Sequence, residues 1–148
     1  MNESKSNTLS YLSSSPLVMY LFVNQDLKLT RGQIAAQTSH LTQVITEEII
    51  KDSFIFSPTP SYCMNYMKWK YSSENKLFGT TIVYKATTSQ LEKLLEEEKE
   101  ARFIIDEIPS KTPISTTSPL PTDNKYLTVV GLFPTFEKEK FKNTFSLL

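Results

Sequence analysis

Seven consecutive apolar residues, Leu17 to Val23, open the patterned part of the chain, and their content of strand formers predicts a central strand buried on both faces. Asn24 to Thr30 turns the chain. Ile34, Leu41, Ile45 and Ile49 then recur at helical spacing, with Thr38 and Val44 filling in, and Thr30-Arg31-Gly32-Gln33 fits a capping box that starts the helix at Thr30. Pro58 and Pro60 interrupt residues 51–76, where Tyr62, Tyr66, Trp69 and Tyr71 fit one face of a short helix. Residues 80–86 read as a second strand. Thr87, Thr88 or Ser89 caps another helix, in which Leu91, Leu94 and Leu95 face the core and the five glutamates between Glu92 and Glu100 face water. Phe103 to Ile105 is a third strand ending at Asp106. Pro109, Pro113, Pro119 and Pro121 make residues 107–125 a loop. Tyr126 to Leu132 is a fourth strand, and Phe136, Phe141 and Phe145 suggest a last short helix.

Strands alternating with helices predict an α/β fold: a three-layer α/β/α arrangement around a small mixed, mostly parallel sheet of about four strands. Residues 1–15, rich in Ser and Asn, read as a disordered tail, and 16–148 as one domain. A chain of roughly 150 residues buries about two-thirds of its unfolded surface, enough for one stable core. Sixteen basic and sixteen acidic side chains cancel, so any nucleic-acid contact must rest on a local patch. Residues 87–107 alone carry a net −4, read as a solvated helix face, which leaves the remainder positive. One cysteine, Cys63, and one histidine, His40, argue against disulfides and against Cys- or His-based metal sites. With no secretory signal and no membrane-length apolar run, the expected compartment is cytoplasmic.

Ligands of open α/β sheets bind beyond the carboxyl ends of the strands, which here brings the Asn24–Gln33 turn beside the loop after Ile105. On the first helix Gln33, Gln37 and His40 fall at i, i+4 and i+7, a shared face read as opposite the Ile34/Leu41/Ile45 stripe. Across from them stand Asp106 and Glu107, followed by Ser110, Lys111 and Thr112. A strand-end carboxylate could orient water while helix-start amides hold an anion. Each residue also has a structural reading: Gln33 closing the capping box, Gln37 as a helix-surface amide, His40 as a hydrogen-bonded structural residue, Asp106 or Glu107 capping a turn, and Ser110 and Thr112 as loop hydroxyls. Tyr66-Met67-Lys68-Trp69-Lys70-Tyr71 interleaves aromatics with lysines, as base-stacking surfaces do, but reads more simply as aromatics packed on the sheet with lysines snorkelling. With three glycines in the chain, a phosphate-cradling loop is nearly excluded.

The segment Asp26-Leu27-Lys28-Leu29-Thr30-Arg31-Gly32-Gln33-Ile34-Ala35-Ala36-Gln37-Thr38-Ser39-His40 resembles the signature of the type-2 peptidyl-tRNA hydrolases, D-L-K-M-x-x-G-K-I-A-A-Q-C-x-H after a first strand. The likeness extends through 81–86, the leucine helix, Ile105-Asp106 and Val130-Gly131-Leu132-Phe133-Pro134. It implies hydrolysis of the ester joining peptide to tRNA, with no metal or cofactor. The partner implied is tRNA in the form of peptidyl-tRNA, no membrane is involved, and a homodimer is left open. The family's lysine falls on Gln33, its aspartate on Asp106, and its threonine on Ser110 or, with a two-residue insertion, Thr112. Asp106-Glu107-Ile108-Pro109 and Leu132-Phe133-Pro134-Thr135 also resemble the divergent peptidyl-tRNA hydrolase domain-containing proteins, in which Glu107 is the matching acid and the lysine is likewise missing. On this reading Asp106 or Glu107 orients water, with Ser110 or Thr112 beside it, and Gln37 and helix-start amides hold the oxyanion. Gln33, Arg31, His40 and Lys111 contact substrate. A non-catalytic tRNA- or protein-binding module on the same fold is the competing function.

Overall fold

Leu17–Asn24 form strand β1, and its unbroken apolar run is explained by a central position: seven of its eight residues are buried. Met19, Leu21 and Val23 pack on one side with Leu41, Ile45 and Trp69, while Tyr20 and Phe22 pack on the other with Leu91, Leu94 and Phe141. The computed structural model describes residues 16–71, 78–108 and 125–148. The expected N-terminal tail and most of the proline-rich loop, including Ser110, Lys111 and Thr112, lie outside them.

A single 3-10 turn, Gln25–Leu27, leads through Lys28, whose φ of 47° is left-handed, into helix α1, Arg31–Ile55. Thr30 is the N-cap and Gln33 completes the capping box, as the local sequence dictates. Helix α2, Ser61–Lys70, buries Cys63, Tyr66 and Trp69 against the sheet and leaves Tyr71 exposed beyond its end. Strand β2, Thr80–Ala86, is followed by helix α3, Thr88–Glu97, capped by Thr87 with Gln90. Strands β3, Ala101–Glu107, and β4, Lys125–Leu132, complete the body of the sheet. A short β5, Thr135–Phe136, helix α4, Glu139–Thr144, and β6, Ser146–Leu147, close the chain. Helices α1 and α2 cover one face and α3 and α4 the other, the expected three layers.

The sheet is mixed, but among the described residues it has six strands rather than about four, in the order β3-β4-β1-β2-β6 with β5 on β1. Nor is it mostly parallel. Among the described residues only β1 and β2 pair in parallel, whereas β4 lies antiparallel between β1 and β3 and separates two strands that run the same way. The helical crossovers do make β1, β2 and β3 run in one direction, so the alternating pattern was read correctly for direction and wrongly for adjacency. Phe136 lies exposed on β5 rather than in the last helix, while Phe141 and Phe145 pack on Phe22 as expected.

Two further expectations change. Gln37, Leu41, Ile45 and Ile49 are the buried residues of α1, so Gln37 lies in line with the apolar stripe and not opposite it. Steps of four residues advance only about 40° around a helix. Glu98 is not solvated with the other glutamates, because Lys138 and Lys140 both reach it, at 3.2 and 3.1 Å. Burial opposes its charge, but those two ammonium groups outweigh burial and hold its carboxyl below the usual range.

The α1–sheet contact explains one glycine. A Cβ on Gly131 would stand 2.6 Å from Leu41 Cδ2 and 2.9 Å from Leu21 Cδ2, so the bare backbone of β4 is what lets the helix lie this close.

Candidate active site

The carboxyl ends of β1, β2 and β3 share one edge of the sheet, and α1 and α3 begin there. Asp26 holds the start of α3 to this edge: its Oδ2 accepts from the Thr88 amide at 2.8 Å, a carboxylate on the positive end of α3.

Alternation along β3 decides which acid faces the first helix. Ile104 packs on the α1 side and Ile105 on the α3 side, so Asp106 returns to α1. There Asp106 Oδ2 accepts a hydrogen bond from Gln37 Nε2 at 2.9 Å, and its Oδ1 accepts from the Glu107 amide at 2.8 Å. Glu107 itself is exposed and contributes that backbone donor. Gln37 is in turn held by Thr128, whose hydroxyl donates to Gln37 Oε1 at 2.7 Å, with the Ile104 carbonyl 3.2 Å away as a second acceptor. An ionised carboxylate can only accept, so the NH2 of Gln37 must face Asp106 and its oxygen must face Thr128. The donation from Gln37 holds the Asp106 carboxyl below the usual carboxylate range. Partial burial pushes the other way, and the Glu107 amide and the charge of His40 add to the lowering.

Thr128 owes its direction to a bulge. Across β3 and β4 the register runs Ile104 to Val129 and then Ile105 to Leu127, which leaves Thr128 as an extra residue on β4. Leu127 and Val130 therefore face α3, while the successive residues Thr128 and Val129 both face α1. Thr128 is wholly buried, and Gln37 nearly so. Among the described residues no buried side-chain nitrogen or oxygen lacks a partner.

The other sequence candidates sit around this clamp. Gln33 is half-buried one turn before Gln37, and its Oε1 accepts from the Thr30 amide at 2.9 Å while its own amide donates to Thr30 Oγ1 at 3.2 Å. Arg31 is exposed at the helix start, and His40 is exposed one turn beyond Gln37. Ser110, Lys111 and Thr112 fall outside the described residues. Gln37 is engaged at both ends of its amide, its oxygen by Thr128 and one N–H by Asp106, so that it orients the Asp106 carboxylate. Thr128 and Asn24, which braces the same edge, went unrecognised in the sequence. The signal was a polar residue within, or at the end of, an otherwise apolar strand. Among the described residues no three His, Cys, Asp or Glu side chains group as metal ligands, and no helix is long and apolar enough to cross a membrane.

The residues that build this edge lie within a segment that has a family counterpart. No curated protein matches the chain at a significant level. The family model described as peptidyl-tRNA hydrolase PTH2, however, matches residues 17–147, nearly the whole sequence and every described element of the sheet, and the chain therefore belongs to the PTH2 peptidyl-tRNA hydrolase family.

Proposed function

We propose that the chain hydrolyses the ester between peptide and tRNA, with Asp106 as the group that orients the attacking water. The observation that carries this reading is the Thr128–Gln37–Asp106 chain of hydrogen bonds, which holds a partly exposed carboxylate in one orientation at the edge where α/β sheets take ligands. Membership of the PTH2 family supports peptidyl-tRNA as the substrate.

In that reaction the water oxygen attacks the ester carbonyl carbon, the bond from that carbon to the ribose oxygen breaks, and the water proton ends on the departing ribose oxygen. A carboxylate of lowered pKa is ionised at neutral pH but weakly basic. Asp106 therefore suits fixing the water and stabilising positive charge on it better than removing a proton early. The amides of Arg31 and Gly32 come before the first intrahelical donor, the Ile34 N–H that bonds the Thr30 carbonyl, so they point out of the start of α1 and supply donors for developing negative charge. Gly32 has no atom within 4 Å of where a Cβ would stand, which leaves that approach open.

Gln33 favours the second reading, a module that binds tRNA or a protein without turnover. It occupies the position of the family lysine and engages its oxygen in the capping box, so this position brings no cation to the ester. The two readings separate in a turnover assay on a peptidyl-tRNA with wild type beside Gln33→Lys. A preorganised charged donor contributes about 3 kcal/mol, on the order of a hundredfold in rate. Hydrolysis by wild type, or a rise of that size in Gln33→Lys, supports the enzyme. A folded pair that binds tRNA and never turns over supports the module.

A further inference from the structure

The backbone ladder between β1 and β4 pairs Leu21 with Gly131, Phe22 with Val130 and Val23 with Val129, and goes no further. The next pair would join Asn24 to Thr128, but Thr128 is the extra residue of the β4 bulge. A bulge at a buried position threatens to leave a main-chain carbonyl without a donor. Here a side chain supplies one. Asn24 Nδ2 donates to the Leu127 carbonyl at 2.8 Å and to Thr88 Oγ1 at 3.0 Å, and Asn24 Oδ1 accepts from the Asp26 amide at 3.0 Å. Asn24 is 2% exposed, on the α3 face of β1, while Gln37 lies across the sheet on the α1 face.

The carbonyl that Asn24 holds belongs to the peptide joining Leu127 to Thr128. We propose that Asn24 is a positioning residue: its amide carries the β1–β4 connection across the bulge and so aims Thr128 at Gln37, and Gln37 at Asp106. Asparagine suits the place because it offers two N–H donors and one acceptor on one short arm. Aspartate would set a carboxylate against the Leu127 carbonyl, and alanine would leave that carbonyl without its donor. Asn24 hydrogen-bonds Leu127, Thr88 and Asp26 and neither Gln37 nor Asp106, so its effect must pass through the bulged peptide. The inference rests on the assignment of Asp106 for its importance to catalysis, but not for its test.

The test reads Asp106 directly, by following its side-chain carboxyl carbon by NMR as pH is lowered in wild type, Asn24→Ala, Asn24→Ser and Leu94→Ala. Loss of the brace should loosen the clamp and move the Asp106 titration upward, toward the ordinary carboxylate range. Serine, which keeps one short donor, should shift it less. Leu94→Ala hollows the same α3-side core and lowers stability while keeping every hydrogen bond that Asn24 makes, so it should leave the titration where it is. The charged neighbours of Asp106 among the described residues are His40 on α1, Glu107 beside it and Lys125 opposite Glu107, and all are unchanged in these variants. Where turnover is measurable, kcat should fall about tenfold with KM little changed, as for a misplaced reacting group. An unmoved Asp106 titration in a folded Asn24 variant would overturn the proposal, as would an equal shift in Leu94→Ala. Should Asn24→Ala not fold, Asn24→Ser decides by the same criterion. A shifted titration in a protein without turnover would uphold the proposal and count against the hydrolase.

Discussion

Replacing Gln37 by methionine isolates the clamp, because the new side chain has similar length, suits a helix and packs with the Leu41/Ile45 stripe. It removes the donor to Asp106 Oδ2 and the acceptor of Thr128. Thr128 is not left without a partner, since the Ile104 carbonyl stands 3.2 Å from its hydroxyl. What disappears is a hydrogen bond to a charged carboxylate, worth about 1.5–3 kcal/mol when well shielded. Asp106 is only partly buried, and solvent screening brings the expected loss down to about 1 kcal/mol. For a chain of this size that is a fall in Tm of about 2–4 °C. The pH dependence identifies the cause. The pKa of Asp106 is depressed in the folded state, so its contribution is present above the unfolded aspartate value of about 4 and is lost as pH falls through the folded value. Urea unfolding should therefore show wild type more stable than Gln37→Met at pH 7, with the two converging in acid. A gap of the same size at neutral and acid pH would refute the ionic origin, and no gap at pH 7 would refute the clamp.

Gly131→Ala should cost about 1–3 kcal/mol by overpacking, because the new methyl meets Leu41 and Leu21 at well under contact distance. A denaturation midpoint equal to wild type would show that α1 can yield there. Because the net charge is zero, any tRNA affinity has to come from a local basic patch; Arg31 stands at the start of α1 beside the candidate site, whereas Lys68 and Lys70 flank Trp69 by the start of β2, at the other end of the sheet. Binding should then weaken on the order of tenfold or more between about 50 and about 200 mM salt, and a flat dependence would exclude phosphate contacts as its basis.

Features set by local chemistry were legible in the sequence. Helices α1 and α3 begin where a threonine and a glutamine three residues later form a capping box, a pattern that depends on four residues only. Strand β1 was legible because burial on both faces demands an unbroken apolar run. The antiparallel insertion of β4 was not, because it depends on which strand edges meet after a long connection. The spacing of Gln33, Gln37 and His40 suggests a set apart, yet Gln37 precedes Leu41, Ile45 and Ile49 by successive steps of four and so belongs to their buried stripe. Asp106 and Glu107 stood as alternatives in the sequence; because Ile104 faces α1 and a strand alternates, it is the Asp106 side chain that meets Gln37. Thr128 was hidden by the bulge: simple alternation from Val129 puts it on the α3 face, and one extra residue turns it to the other.

The assignment of Asp106 is tested most directly by the rate of peptidyl-tRNA hydrolysis in wild type and in Asp106→Asn. The amide keeps the size of the carboxylate and can still accept from Gln37, so the fold and the clamp should survive while the charge that orients water is gone. The account predicts measurable turnover in wild type and a loss on the order of a hundredfold or more in the folded variant. Equal turnover in the two proteins would contradict it.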